Sequence, residues 1–124
     1  MNDPTLQNRE KTRIIQELVP GKQSTLAHII ANPDEILYKQ LGLDPAGEYT
    51  AAAIGILTMS PAETAIIAGD IATKASGAEL GFVDRFSGTL IITGSVSQVQ
   101  EAVAAVVRYA DETLGFTVCP ITKT

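Results

Sequence analysis

The sequence predicts an α+β sandwich of the ferredoxin-like kind, with one antiparallel sheet packed by helices on one face. Three observations carry this. Apolar runs of strand length alternate with helix-start signals in the order β-β-α-β-α-β-β-α-β, and with the first strand set aside the middle contains β-α-β-β-α-β. Hydrophobic content is 45%, yet aromatics are 5% and tryptophan is absent, so the interior must be built from Ala, Ile, Val and Leu, which allow elements to pack closely. A chain of 124 residues has room for one such core.

The elements follow in order. Met1–Arg13 is polar and reads as a flexible tail. Ile14–Val19 reads as a strand of alternating faces, ended by the Pro20-Gly21 turn. It stands apart from the rest, and a short strand at a chain end needs a partner, which in an oligomer can be its own copy from a neighbour. Thr25–Ala31 reads as the next strand. Asn32 as N-cap, Pro33 at the first helical position and Glu35 then open a helix whose apolar face is Ile36, Leu37 and Leu41, stopped by Gly42. Leu43–Thr50 is a loop, and the continuous apolar run Ala51–Met59 is a buried strand.

Ser60-Pro61-Ala62-Glu63 reads as a capping box with proline inside. The helix it opens carries Ala65, Ala68, Gly69, Ala72 and Ala75, small residues that suit close approach to a sheet or a neighbouring subunit, and Gly77 stops it. Ala78–Phe86 and Thr89–Thr93 form a buried hairpin. Ser95 to Gln98 starts a third helix, where Val99, Val103, Val106, Val107, Ala110 and Leu114 recur at helical spacing before Gly115. Phe116–Ile121 is a last short strand, placed at an edge by Pro120.

The composition excludes several functions. A net charge of −5 and a pI near 4.7 leave no basic stripe for nucleic acid. A single cysteine, Cys119, makes an internal disulfide and a cysteine-rich metal cluster impossible. No apolar run reaches membrane-spanning length and the polar start has no signal-peptide core, so the expectation is a soluble cytoplasmic protein. Catalysis finds little support: His28 lies in a strand with no evident partner, and neither a metal motif nor a nucleotide-binding motif occurs. No catalytic residue, metal or cofactor is assigned. Asp70 and Lys74 have the spacing of a helical ion pair.

The hairpin tip, Asp84-Arg85-Phe86-Ser87-Gly88, is the unusual stretch. It sets an acid, a base and an aromatic where a plain turn needs only Gly, Asn or Asp. Two readings stand side by side: solvated charges on a well-made turn, or the lining of a central opening if the chain forms a ring.

The segments Ile14–Pro33, Ala53–Ala75, Gly81–Val96 and Leu114–Thr124, with VPGKQ, TLAH, DRFSG and a terminal TKT, resemble the bacterial microcompartment shell proteins, specifically the circularly permuted subfamily of ethanolamine and propanediol utilisation, the EutS/PduU type. The resemblance implies a cyclic homohexamer, a structural shell tile without enzymatic activity that meets other shell proteins around encapsulated enzymes. It implies a permuted BMC domain over residues 25–124, preceded by a barrel-forming segment over 14–24 and the tail over 1–13. The pore loop would be Asp84, Arg85, Phe86, Ser87 and Gly88, with bulky Arg85 and Phe86 narrowing the opening and Asp84 and Arg85 alternating around it. Ile14, Ile15, Gln16, Glu17, Leu18 and Val19 would form a β-barrel capping the centre. Lys74 would be the edge residue, and Asn32 would stand where a basic residue is usual. The competing reading is a ferredoxin-like regulatory module that binds a small metabolite between subunits.

Overall fold

The computed structural model describes residues 21–43 and 53–124. The expected tail Met1–Arg13, the expected strand Ile14–Val19, most of the expected loop Leu43–Thr50, and Ala51 and Ala52 lie outside the described residues. The elements are β1 (Gln23–Ile30), α1 (Glu35–Gln40), β2 (Ala53–Ser60), α2 (Thr64–Ala75), β3 (Glu79–Asp84), β4 (Thr89–Gly94), α3 (Val96–Glu112) and β5 (Thr122–Lys123).

They form one five-stranded sheet in the order β3-β4-β2-β1-β5. The pairs β3–β4, β4–β2 and β2–β1 are antiparallel, as expected, but β5 joins β1 in parallel, so the sheet is mixed. From β2 onward the chain writes β-α-β-β-α, and a ferredoxin-like sheet would then place the following strand beside β2. That position is occupied instead by β1, which precedes the unit in sequence. The strand after α3 is displaced to the outer edge. Circular permutation is thus visible in the strand order itself.

The core lies between the sheet and the helices α2 and α3. Leu57, Leu90 and Ile92 from the strands meet Ala68 and Ala72 of α2 and Val99, Val103 and Val106 of α3, all buried. Small residues set the spacing. A Cβ built on Gly69 of α2 would lie 3.4 Å from Leu80 Cδ1, so the helix backbone sits directly over the sheet. At Gly55 of β2 a Cβ would lie 2.9 Å from both Ile92 Cγ1 and Val99 Cγ1.

Helix α3 begins as expected. The Ser95 side chain accepts the Gln98 N–H and the Gln98 side chain accepts the Ser95 N–H, a complete capping box worth about 1 kcal/mol. The other two starts differ. Asp34, not Asn32, caps α1: its carboxylate accepts the Ile36 N–H at 3.0 Å. Asp34 itself has the extended backbone of a cap and brings its carboxylate to that N–H, so the helix starts after it and Pro33 stays outside. No capping box precedes α2. Its N-cap is Glu63 without a side-chain bond, and carbonyls of Pro61, Ala62 and Glu63 take the first N–H groups of the helix in a tightened turn.

Two strand expectations also shift. The last strand is Thr122–Lys123 rather than Phe116–Ile121. The earlier stretch does follow β1, through Ser24 N–H to Thr117 carbonyl and Thr117 N–H to Lys22 carbonyl, but Pro120 has no N–H and the ladder resumes only after it. The hairpin is buried on one strand only. Leu90, Ile92 and Thr93 of β4 are buried, whereas β3 is the sheet edge and has no buried residue.

Candidate functional site

The tip of the β3–β4 hairpin is built by Asp84. One carboxylate oxygen accepts the Phe86 N–H at 2.8 Å and the other accepts the Ser87 hydroxyl at 2.8 Å. The Gly88 N–H returns to the Asp84 carbonyl at 2.9 Å, closing the turn. The Gly88 carbonyl accepts the Met59 N–H at 2.9 Å, which ties the tip to the end of β2. Gly88 has φ +78°, a backbone that glycine adopts without strain. Asp84 therefore acts first as a turn former, as aspartate commonly does through its own downstream backbone.

These donors favour the charged carboxylate. The Phe86 N–H and the Ser87 hydroxyl hold the Asp84 carboxyl below its ordinary value. A depressed folded-state value means the charged form supports the turn. That support is complete above the ordinary carboxylate range and is lost as pH falls through the folded-state value. We expect the Phe86 and Ser87 amide signals to move together during an acid titration followed by NMR, with a midpoint below that of a free aspartate, and to lie at their low-pH positions at all pH values in Asp84→Ala.

Arg85 is not paired with Asp84. Its guanidinium lies 5.0 Å from the centroid of the Phe86 ring, a cation–π contact, and it makes no ion pair with a described residue. Phe86 is 81% exposed. Ile66, Val83, Asp84, Arg85 and Phe86 border an open recess of about 280 Å³. The tip thus presents an aromatic ring and a cation outward, with the acid turned into its own backbone.

The expected edge residues fall on separate elements. Lys74, near the end of α2, pairs with Asp70 at 2.9 Å, as the sequence spacing requires, and both side chains are exposed. Asn32 lies on the bend after β1, and no hydrogen bond joins it to Lys74. The expected barrel residues Ile14 to Val19 lie outside the described residues. Among the described residues no group of three His, Cys, Asp or Glu side chains could hold a metal, and no helix is long and apolar enough to cross a membrane.

Sequence reasoning missed the partners of His28. Its Nδ1 lies 2.6 Å from the Thr122 hydroxyl and its Nε2 lies 2.9 Å from the Thr124 hydroxyl. These residues are 94 and 96 positions away, and only strand register brings them together.

Comparison with known proteins gives this geometry a family. A model of the BMC domain matches residues 53–122, the stretch from β2 into β5. The chain is 54% identical over 114 residues to the bacterial microcompartment shell protein EutS of Escherichia coli (strain K12), covering 92% of this chain and 98% of that one. It is 54% identical over 112 residues to the shell protein PduU of Salmonella typhimurium (strain LT2), covering 90% and 93%. Among solved structures, a flat hexamer of CutR superposes with a TM-score of 0.78 at 44% identity, covering 86% of this chain and 94% of that one. The displaced strand β5, the domain match over the sheet-and-helix body and this identity along nearly the whole length together make the chain a member of the BMC-domain family of bacterial microcompartment shell proteins.

Proposed function

We propose that this protein is a structural tile of a microcompartment shell in the cytoplasm, non-catalytic, with six copies in a ring and further shell proteins at the ring's outer edges around enclosed enzymes. The observation that carries the ring is the uncovered apolar edge of the sheet. Leu80, Phe82 and Val83 of β3 and Ile66 and Ile67 of α2 are each between 37% and 54% exposed. Side chains of this size, grouped on one edge strand and the adjoining helix, fit an interface better than open solvent. A patch at one edge of an asymmetric domain meets a different surface on its neighbour, and such head-to-tail contacts close into rings when the rotation permits.

In that ring the tip Asp84, Arg85, Phe86, Ser87 and Gly88 surrounds the centre. Because Asp84 is engaged by the turn, the six-fold repeat sets Arg85–Phe86 pairs around the opening and narrows it. Residues Ile14 to Val19 form the strand that joins its copies in a capping barrel, within a 14–24 segment preceding the 25–124 domain. Lys74 and Asn32 belong to the outer edge. The relatives named above are shell proteins, and the solved CutR structure is a hexamer; both support this reading.

Light scattering behind a sizing column tests it. The expected mass is that of six 13.1 kDa chains, about 79 kDa. Phe82→Asp places a charge in the apolar edge and is expected to move the protein to the mass of a single chain with its circular dichroism retained. A dimer or tetramer for the parent chain would overturn the ring and favour the metabolite-binding module.

A further inference from the structure

We propose that His28 is the latch of an edge strap: it registers the segment 120–124 on β1 and so keeps the outer edge of the sheet closed to strands of other copies. This goes beyond the tile reading and does not depend on it, since every contact lies within one chain.

Three observations support it. First, among the described residues the strap has few other holds. β5 pairs with β1 at two positions, Thr122 and Lys123 are exposed, and Ile121 is 41% exposed, so apolar burial contributes little to its docking. Second, its backbone closes the edge that β1 would otherwise offer. The Thr124 N–H goes to the Ile29 carbonyl at 2.9 Å and the Ala31 N–H goes to the Thr124 carbonyl at 2.8 Å. Bare, these groups form the kind of template that recruits a strand from another chain. Third, both ring nitrogens of His28 are taken by hydroxyls from alternate residues of the strap. Alternate residues of a strand share one face, so one ring spanning Thr122 and Thr124 reads the register of the strap and not merely its presence.

The hydrogen count is self-consistent. The Thr122 hydroxyl donates to the Ala27 carbonyl at 3.4 Å, so it accepts from Nδ1–H of the ring. The Nε2 lone pair then accepts the Thr124 hydroxyl proton. One imidazole thereby completes a chain of three bonds from the strap back to the β1 backbone. When the strap leaves, the edge it uncovers fits a second copy, because every copy carries the same segment and the same β1 register.

Hydrogen exchange on the full-length protein tests this. In His28→Ala the Thr124 and Ala31 amides should exchange faster by about tenfold or more, while amides of the β2–β4 ladder keep their parent rates. Light scattering should then show growth beyond the parent mass. The double variant Thr122→Val with Thr124→Val keeps the ring and removes only its partners; it should reproduce both effects. Unchanged exchange at Thr124 and Ala31, or an equal acceleration across the β2–β4 ladder, would overturn the latch. Faster local exchange without growth in mass would overturn its role as guard of the edge.

Discussion

Gly88→Ala is expected to destabilise the protein by about 3 kcal/mol or more, the sum of backbone strain and steric overlap. Its φ of +78° disfavours any residue with a Cβ. Space is also lacking: the added carbon would overlap the Met59 carbonyl oxygen and lie 3.1 Å from Ala62 Cα, both backbone atoms that cannot swing aside. Relief would require the tip to lift from β2, breaking the bond from Met59 N–H to Gly88 carbonyl. The melting temperature should fall by about 10 °C or more. Arg85→Ala, three residues earlier and solvent-exposed, should stay within about 0.5 kcal/mol of the parent. Equal melting of Gly88→Ala and the parent would show that the tip does not need this approach to β2.

Gly55→Ala should cost about 2 kcal/mol for a different reason, overpacking without backbone strain. The new methyl would meet Ile92 Cγ1 and Val99 Cγ1 at 2.9 Å and Val103 Cγ2 at 3.1 Å. All three neighbours are fully buried and interlocked, so none can turn away freely. The sheet and α3 must then separate slightly. Combining Gly55→Ala with Val99→Ala restores room at the same point, and the pair should be less destabilised than the sum of the two single changes, as coupled neighbours are. Strict additivity in urea melts would place the strain elsewhere.

Much of the fold was legible because local chemistry and tertiary packing agreed. Ser95 and Gln98 spelled out a capping box that forms, and Val99, Val103 and Val106 marked the face that α3 buries. Gly69 among alanines announced a helix lying close to the sheet. Failures came where two local rules competed. Pro33 looked like a first helical residue after Asn32, but Asp34 two residues on also has a capping side chain, and its extended backbone and carboxylate take that place. Ser60 and Glu63 matched a capping pattern that the turn through Pro61 replaced.

The parallel placement of β5 could not be read locally, since a two-residue strand carries no periodicity and its register is written in His28, far away in sequence. At the tip, sequence named the residues but not their division of labour. Asp84 and Arg85 are adjacent, which suggested that they alternate around a ring of copies. Within one chain the carboxylate accepts from a backbone and a hydroxyl donor two and three residues on, while the guanidinium lies over the Phe86 ring.

The order in which the strands leave the ribosome gives the position of β1 a further meaning. A ferredoxin-like sheet built without permutation must wait for its last-synthesised strand before the strand beside β2 can pair. Here that strand is made first, so β2 finds it already present, and the antiparallel pair closes a loop of modest length. The β2–α2–β3–β4–α3 body then adds on to an existing template, mostly through neighbours in sequence. Among the described residues, the contacts that span nearly the whole chain join β1 and its start to the stretch from Thr117 to Thr124 along the sheet edge. Permutation thus lets the strand beside β2 pair early and leaves the short outer strand β5 to close last, which lowers the entropic cost of assembling the core.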